Sequence, residues 1–200
     1  MKHIRPYRLF ESTTLTKKKF RDRTEWRNPQ GNLHREDGPA IEYKDGSKAW
    51  ALNGLWHRAD GPAVEMADGS KQWWVDGKRH REDGPAVERA DGSKEWWVDG
   101  QRHRLDGPAV EQADGFKAWW VDGQWHRLDG PAIERADGSK EWWVDGRKLE
   151  AGEFYRRRLK KVGSSADLEF LNQLKELVDA GLAQWSTPAI VGELEKRLRK

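Results

Sequence analysis

His80-Arg81-Glu82-Asp83-Gly84-Pro85-Ala86-Val87-Glu88-Arg89-Ala90-Asp91-Gly92-Ser93-Lys94-Glu95-Trp96-Trp97-Val98-Asp99-Gly100-Gln101-Arg102 is one full period of this chain, and the next begins at His103. The block His-Arg-x-Asp-Gly-Pro-Ala returns every 23 residues, at His34, His57, His80, His103 and His126, and each copy closes in Trp-Trp-x-Asp-Gly or a close relative. A fixed period of this length marks a repeat architecture, in which one small unit buries its apolar face only by stacking on copies of itself.

Within the period, Lys94-Glu95-Trp96-Trp97-Val98 is rich in aromatic and β-branched residues and runs into Asp99-Gly100, a hairpin signal. Asp106-Gly107-Pro108 then interrupts any regular ladder, and Ala109-Val110-Glu111 resumes an extended pattern before Asp114-Gly115 turns the chain again. The expected fold is mainly β: an antiparallel hairpin meander of about five 23-residue repeats, two strands each, with a C-terminal α-helical hairpin. Equivalent Trp residues would then lie ~10 Å apart, two strand steps of ~4.8 Å.

Side chains alternate faces along a strand, which separates the paired tryptophans. Trp50, Trp73, Trp96, Trp119 and Trp142 share a face with Val75, Val98, Val121 and Val144, and this is expected to be the packed face. The second column, Trp74, Trp97, Trp120 and Trp143, begins with Ala51 and is the candidate recognition face. Repeat proteins encode partners where their copies differ. Trp56 and Trp125, each an added indole before the motif His, and Phe116, which replaces Ser, complete the candidate partner-binding set.

Composition agrees with this economy. The chain has 13 Trp but 36% charged residues, so packing must lean on indole rings rather than a broad aliphatic core. The net charge of +3 is unevenly spread: residues 1–33 carry nine basic and three acidic side chains, residues 34–148 carry 18 and 23, and residues 149–200 carry ten and eight. A repeat surface built for phosphate backbones is thereby disfavoured, while the flanks Lys17, Lys18, Lys19, Arg156, Arg157, Arg158, Lys160 and Lys161 form the candidate site for an anionic polymer such as nucleic acid. There is no Cys, no apolar signal region and no run of 18 apolar residues, so a soluble, cytoplasmic protein without a membrane span is expected.

Catalytic and metal chemistry find no singular constellation. Every His, Asp and Glu of the motif comes several times over, no Gly-rich phosphate loop precedes a helix, and equivalent His residues ~10 Å apart cannot share one metal at ~2 Å. The expectation is no enzyme activity, no catalytic residue, no metal and no cofactor. His, Arg and Asp are read instead as a ladder of side chains bonding across turns, with Asp-Gly as turn former rather than calcium ligand. Stacking of sugars or cations on the Trp ladder, as in the choline-binding repeats of cell-wall proteins, is an alternative.

The string Trp74-Val75-Asp76-Gly77-Lys78-Arg79-His80, followed after a strand-like stretch by Asp91-Gly92-Ser93, resembles the MORN repeat, a hairpin unit of the same 23-residue length. It is closer still to bacterial MORN-variant repeats, some of them antitoxins, and to phage and bacterial proteins rich in the same motifs. The resemblance covers roughly residues 26–148. It implies a hairpin meander and a role in protein interaction or scaffolding, antitoxin-like or as a phage accessory protein. Arg35, Arg58, Arg81, Arg104 and Arg127 stand where a MORN unit has Gly, so the resemblance implies lipid binding and membrane-associated scaffolding only weakly.

The ends differ from the repeats. Residues 1–25 read as a basic arm with at most one capping strand, 26–149 as the β-repeat domain and 150–163 as a basic linker. Residues 164–200 read as a helical hairpin: Ser164 with Asp167 forms a capping box, Leu168, Leu171, Leu174, Leu177 and Val178 form a stripe, and a second helix starts near Thr187-Pro188. It is expected to cap the last repeat or to serve as a homodimer surface.

Overall fold

The computed structural model describes residues 14–160 of the 200. They form 21 short strands and one helix. Thirteen strands make a single antiparallel sheet and the remaining eight pair into four separate two-stranded hairpins, so the expected mainly-β hairpin meander is what the chain adopts.

One repeat shows why. Val87–Glu88 and Lys94–Glu95 lie side by side in the long sheet, joined across Asp91-Gly92-Ser93. Gly92 sits at φ 89, where an L side chain would be strained, and its N–H donates to the Arg89 carbonyl at 2.9 Å. The Asp91 carboxylate accepts the Ser93 N–H at 2.8 Å, and the Ser93 hydroxyl accepts the Ala113 N–H of the next repeat at 3.1 Å. Trp97–Val98 and Gln101–Arg102 then form a small hairpin around Asp99-Gly100, both at positive φ (49 and 82), as a two-residue primed turn requires.

The two faces of the long sheet are sharply different. One carries Glu42, Lys48, Glu65, Lys71, Glu88, Lys94, Glu111, Lys117, Glu134 and Lys140 in strict register, an unbroken row of alternating charge. The opposite face carries Ile41, Ala49, Val64, Gln72, Val87, Glu95, Val110, Ala118, Ile133 and Glu141. Beside it runs a column of motif alanines, Ala40, Ala63, Ala86, Ala109 and Ala132, all fully buried. Small side chains at every period let successive units approach closely enough to exclude water without a thick core.

The expected continuous Trp-Trp strand is interrupted in all full copies but the last. Trp73 lies between Lys71–Gln72 and Trp74–Val75 and belongs to neither strand: its N–H donates to Ala86 in the sheet while its carbonyl accepts from His80 in the hairpin. The first Trp of each pair is a pivot that passes the chain from sheet to hairpin. Alternation therefore stops there, and the assignment of one Trp column to a packed face does not hold: both columns are half-buried and Val75 is exposed. Only Lys140–Val144 stays continuous, because Leu149 stands where a sixth His would be and pairs directly with Trp142.

Strands also occupy the stretch read as a basic arm: β1 (Thr16–Lys19) pairs with β2 (Arg23–Arg27), which pairs with β3 (Ile41–Tyr43). At the other end, helix α1 (Ala151–Lys160) occupies most of the stretch read as a linker. Its Phe154 packs on Leu149, Trp142 and Val144, so the last repeat is covered by α1. The helical hairpin expected over 164–200 lies outside the described residues, as does Lys161. Among the described residues no helix is long and apolar enough to cross a membrane.

Candidate functional site

The motif His, Arg and Asp form the ladder expected of them, but over different distances. Each His Nδ1 reaches the turn of the hairpin that ends its own 23-residue period: Asn53, Asp76, Asp99, Asp122 and Asp145 donate their backbone N–H to His34, His57, His80, His103 and His126 at 3.0 to 3.3 Å. Those five donors are the non-glycine residues at positive φ among the described residues. The bond thus pins a strained hairpin turn to the loop that follows the preceding hairpin.

Each motif Arg stacks on a Trp of the preceding period, eight or nine residues before it. Its Cζ lies 4.2, 4.0, 4.0, 3.9 and 3.8 Å from the ring centroids of Trp26, Trp50, Trp73, Trp96 and Trp119 in turn. The same guanidinium donates to the Asp two residues on, to the Pro carbonyl four on and to the Glu seven on, as Arg104 does to Asp106, Pro108 and Glu111 at 2.9, 3.1 and 2.9 Å. These bonds hold the carboxyls of Asp37, Asp60, Asp83 and Asp106 below the usual carboxylate range. The Gly of Asp-Gly-Pro is needed for room: a Cβ on Gly107 would stand 2.8 Å from Arg104 Cζ.

The second Trp column forms a different construction. Arg79 lies 5.1 Å from the centroids of both Trp74 and Trp97, and Arg102 lies 4.9 Å from Trp97 and 5.4 Å from Trp120. Trp125 takes the next place, 4.8 Å from Trp120 and 4.7 Å from Trp143, and Lys148 ends the row 5.9 Å from Trp143. Indoles and cations thus interleave into one ladder, with three consecutive indoles only at Trp120, Trp125 and Trp143. Trp56 sits opposite Ala51, so it supplies a ring where the column lacks one. Phe116 is half-buried in its turn and removes the hydroxyl that elsewhere accepts from the following repeat.

Three columns that vary together along the sequence meet in space. Glu95 is 3% exposed; it accepts from Arg89, from Arg102 at 3.2 Å and from the Trp97 indole at 3.1 Å. Burial pushes its carboxyl up, and the two guanidinium groups outweigh that and hold it down. Glu141 repeats this with Arg135, Lys148 and Trp143, and bonding to Arg135 first and Lys148 second brings it to about 2. Where the carboxylate is replaced by alanine, at Ala49 and Ala118, the cation seven residues on is replaced by Trp56 or Trp125. One donor is left over: the buried Trp120 Nε1–H, facing Ala118, has no acceptor. Arg79 Nε is likewise unmatched, because the Gln72 oxygen serves Trp74 at 3.2 Å.

The ladder therefore unites Trp74, Trp97, Trp120, Trp125 and Trp143 of the sequence-based set, while Trp56 stands in the first hairpin and Phe116 on a turn. Arg79, Arg102, Glu95 and Glu141 were missed, although the seven-residue coupling of Glu with a cation and Ala with Trp is readable by comparing copies. Of the basic flanks, Lys17, Lys18 and Lys19 are exposed on β1, with Lys17 Nζ 4.9 Å from the Trp26 centroid. Arg156, Arg157, Arg158 and Lys160 belong to α1, where Arg157 pairs with Glu153 at 2.7 Å. Among the described residues no three His, Asp or Glu side chains converge as a metal site. No protein-family model matches this chain, and none of the curated proteins matches it either.

Proposed function

We propose that this protein is a non-catalytic repeat module for protein–protein interaction or scaffolding, and that its partner meets the Trp120–Trp125–Trp143 stretch of the ladder. The observation that carries the reading is the run of three tilted, half-buried indoles in contact where the second and third hairpins insert Arg79 and Arg102. Ring faces are largely taken by their neighbours, so the partner contacts indole edges, a surface type that anchors interfaces. The likeness of the repeat motif to MORN-variant units supports the same class, antitoxin-like or phage accessory protein included.

The test uses a substitution the protein has already made elsewhere. Q112R/A118E/W125R rebuilds the Arg89–Glu95–Arg102 trio in the fourth repeat and should keep the fold while removing the central indole. Partners captured by the wild-type chain and identified by mass spectrometry should be lost by this variant. Equal recovery overturns the reading.

A second reading, binding of an anionic polymer, is favoured by one observation: every side chain of the edge strand β1, Lys17 to Lys19 included, is exposed. It requires affinity for single-stranded RNA or DNA that falls steeply with salt and disappears in a K17E/K18E/K19E variant. Affinity for a carbohydrate on the ladder is the remaining alternative, checked by titration with cell-wall oligosaccharides.

A further inference from the structure

The third position of the motif, between Arg and Asp, carries Glu36, Ala59, Glu82, Leu105 and Leu128. The two leucines are 80% and 56% exposed, the most exposed large apolar side chains among the described residues. They are equivalent in adjacent repeats. The preceding Arg104 and Arg127 donate their backbone N–H to Trp120 and Trp143 of the next hairpin in the same way, so the loops are placed by one repeating rule. Two strands per repeat set the leucines ~10 Å apart along the repeat axis. A lone exposed leucine needs no explanation, but two in register on one edge form a patch.

The well-exposed charge beside the two leucines is acidic, Asp106 and Asp129. Each motif Arg divides its positive charge between two carboxylates, as Arg104 does between Asp106 and Glu111. The side chains of Asp37, Asp60, Asp83 and Asp106 are 81 to 84% exposed, and the Arg beside each keeps its carboxyl ionised. The fitting occupant is therefore apolar at two points and basic around them.

Geometry selects its backbone. In an extended strand, ~10 Å is three residues, and side chains three apart point to opposite faces. In an α-helix, seven residues rise ~10.5 Å and return to the same face. We propose that the Leu105–Leu128 edge is a docking site for a basic amphipathic helix of a protein partner, lying along the repeat axis with apolar residues seven apart. This is a second surface, separate from the indole ladder and tested separately from it.

The probe is a synthetic Ala/Lys helix of about 20 residues, long enough to be helical in water, with two leucines seven residues apart. Titration calorimetry at low salt should show binding to the wild-type chain, weakening as salt rises. L105E/L128E places at both sites the residue that Glu36 and Glu82 already supply in the first and third repeats, so the fold is kept. Its affinity should fall by at least about tenfold, the scale of one leucine left unburied. A control peptide with leucines five apart should bind as poorly. The Q112R/A118E/W125R variant should bind like the wild type, which separates failure of this proposal from failure of the ladder reading. The proposal is overturned if the wild type shows no binding up to about 1 mM peptide. It is equally overturned if L105E/L128E binds like the wild type, or if the edge proves to join two copies of this chain, seen as a wild-type dimer that L105E/L128E dissolves.

Discussion

His103 Nδ1 accepts the backbone N–H of Asp122, 19 residues further along, at 3.2 Å, and Asp122 stands at φ 49. The bond joins the loop after one hairpin to the turn of the next hairpin, and the same Nδ1 lies 2.9 Å from the Asp122 carboxylate Oδ1, to which it donates when protonated. In a repeat protein such a link belongs to the interface between units, where cooperativity resides. His103→Ala removes the acceptor and leaves the N–H of a strained residue unsatisfied. We expect a loss of about 1–2 kcal/mol in urea denaturation and a broader transition as the two halves uncouple. Asp122→Gly, which relieves the turn and keeps the N–H, should cost less or nothing.

Gly107→Ala should act through Arg104 rather than through the backbone. The added Cβ would meet the guanidinium at 2.8 Å, and Arg104 must leave the Trp96 ring and at least one of its three acceptors. A destabilisation of about 2 kcal/mol is expected, the sum of a stacked cation and a charged hydrogen bond. Arg104→Ala should reduce this penalty, and a double-mutant cycle read by thermal denaturation checks the coupling.

The variable trio should behave as one unit. Gln72→Glu offers Arg79 the carboxylate that Arg102 has in the next repeat, and should stabilise by about 1 kcal/mol. Ala118→Glu alone places a carboxylate beside Trp125 with no cation and should destabilise. Adding W125R and Q112R should restore stability to at least the wild-type level, because two guanidinium groups then pair the carboxylate that accepts from Trp120 Nε1. Three urea curves decide it, and equal stability of the single and triple variants would contradict the coupling.

Acid should weaken the fold through the carboxylates paired with cations. Glu141 is held at about 2, against 4.5 for the ordinary group, and Glu25 and Glu95 are also lowered. A carboxyl depressed in the folded state contributes stability that is complete above the unfolded value and is lost as pH falls through the folded one. The denaturation midpoint should hold steady above about pH 5 and fall from 4.5 toward about 2. Glu141→Gln, which still accepts from Trp143, should flatten that fall.

How legible each layer was depends on how local its cause is. The Asp-Gly turns and the two-strand meander were readable because positive φ and the breaking of a ladder are properties of a few adjacent residues. The break at Trp73 and its equivalents was not, since it arises when one residue bonds the sheet on one side and the hairpin on the other. That break also undid the inference that one Trp column is packed and the other free. The same limit applied to His: its bond across a turn reaches the backbone of the following hairpin, 19 residues on.

The sequence by itself determined the period, the turns and the absence of a thick aliphatic core, because each follows from composition and short-range backbone preference. Only the tertiary structure decided which cation stacks on which indole, which carboxylate is buried, and that the three variable columns form a single contact. The return of the chain from hairpin to sheet brings residues seven or 19 apart into hydrogen-bonding reach, and that distance is set by how hairpins and sheet pack rather than by any local stretch of chain.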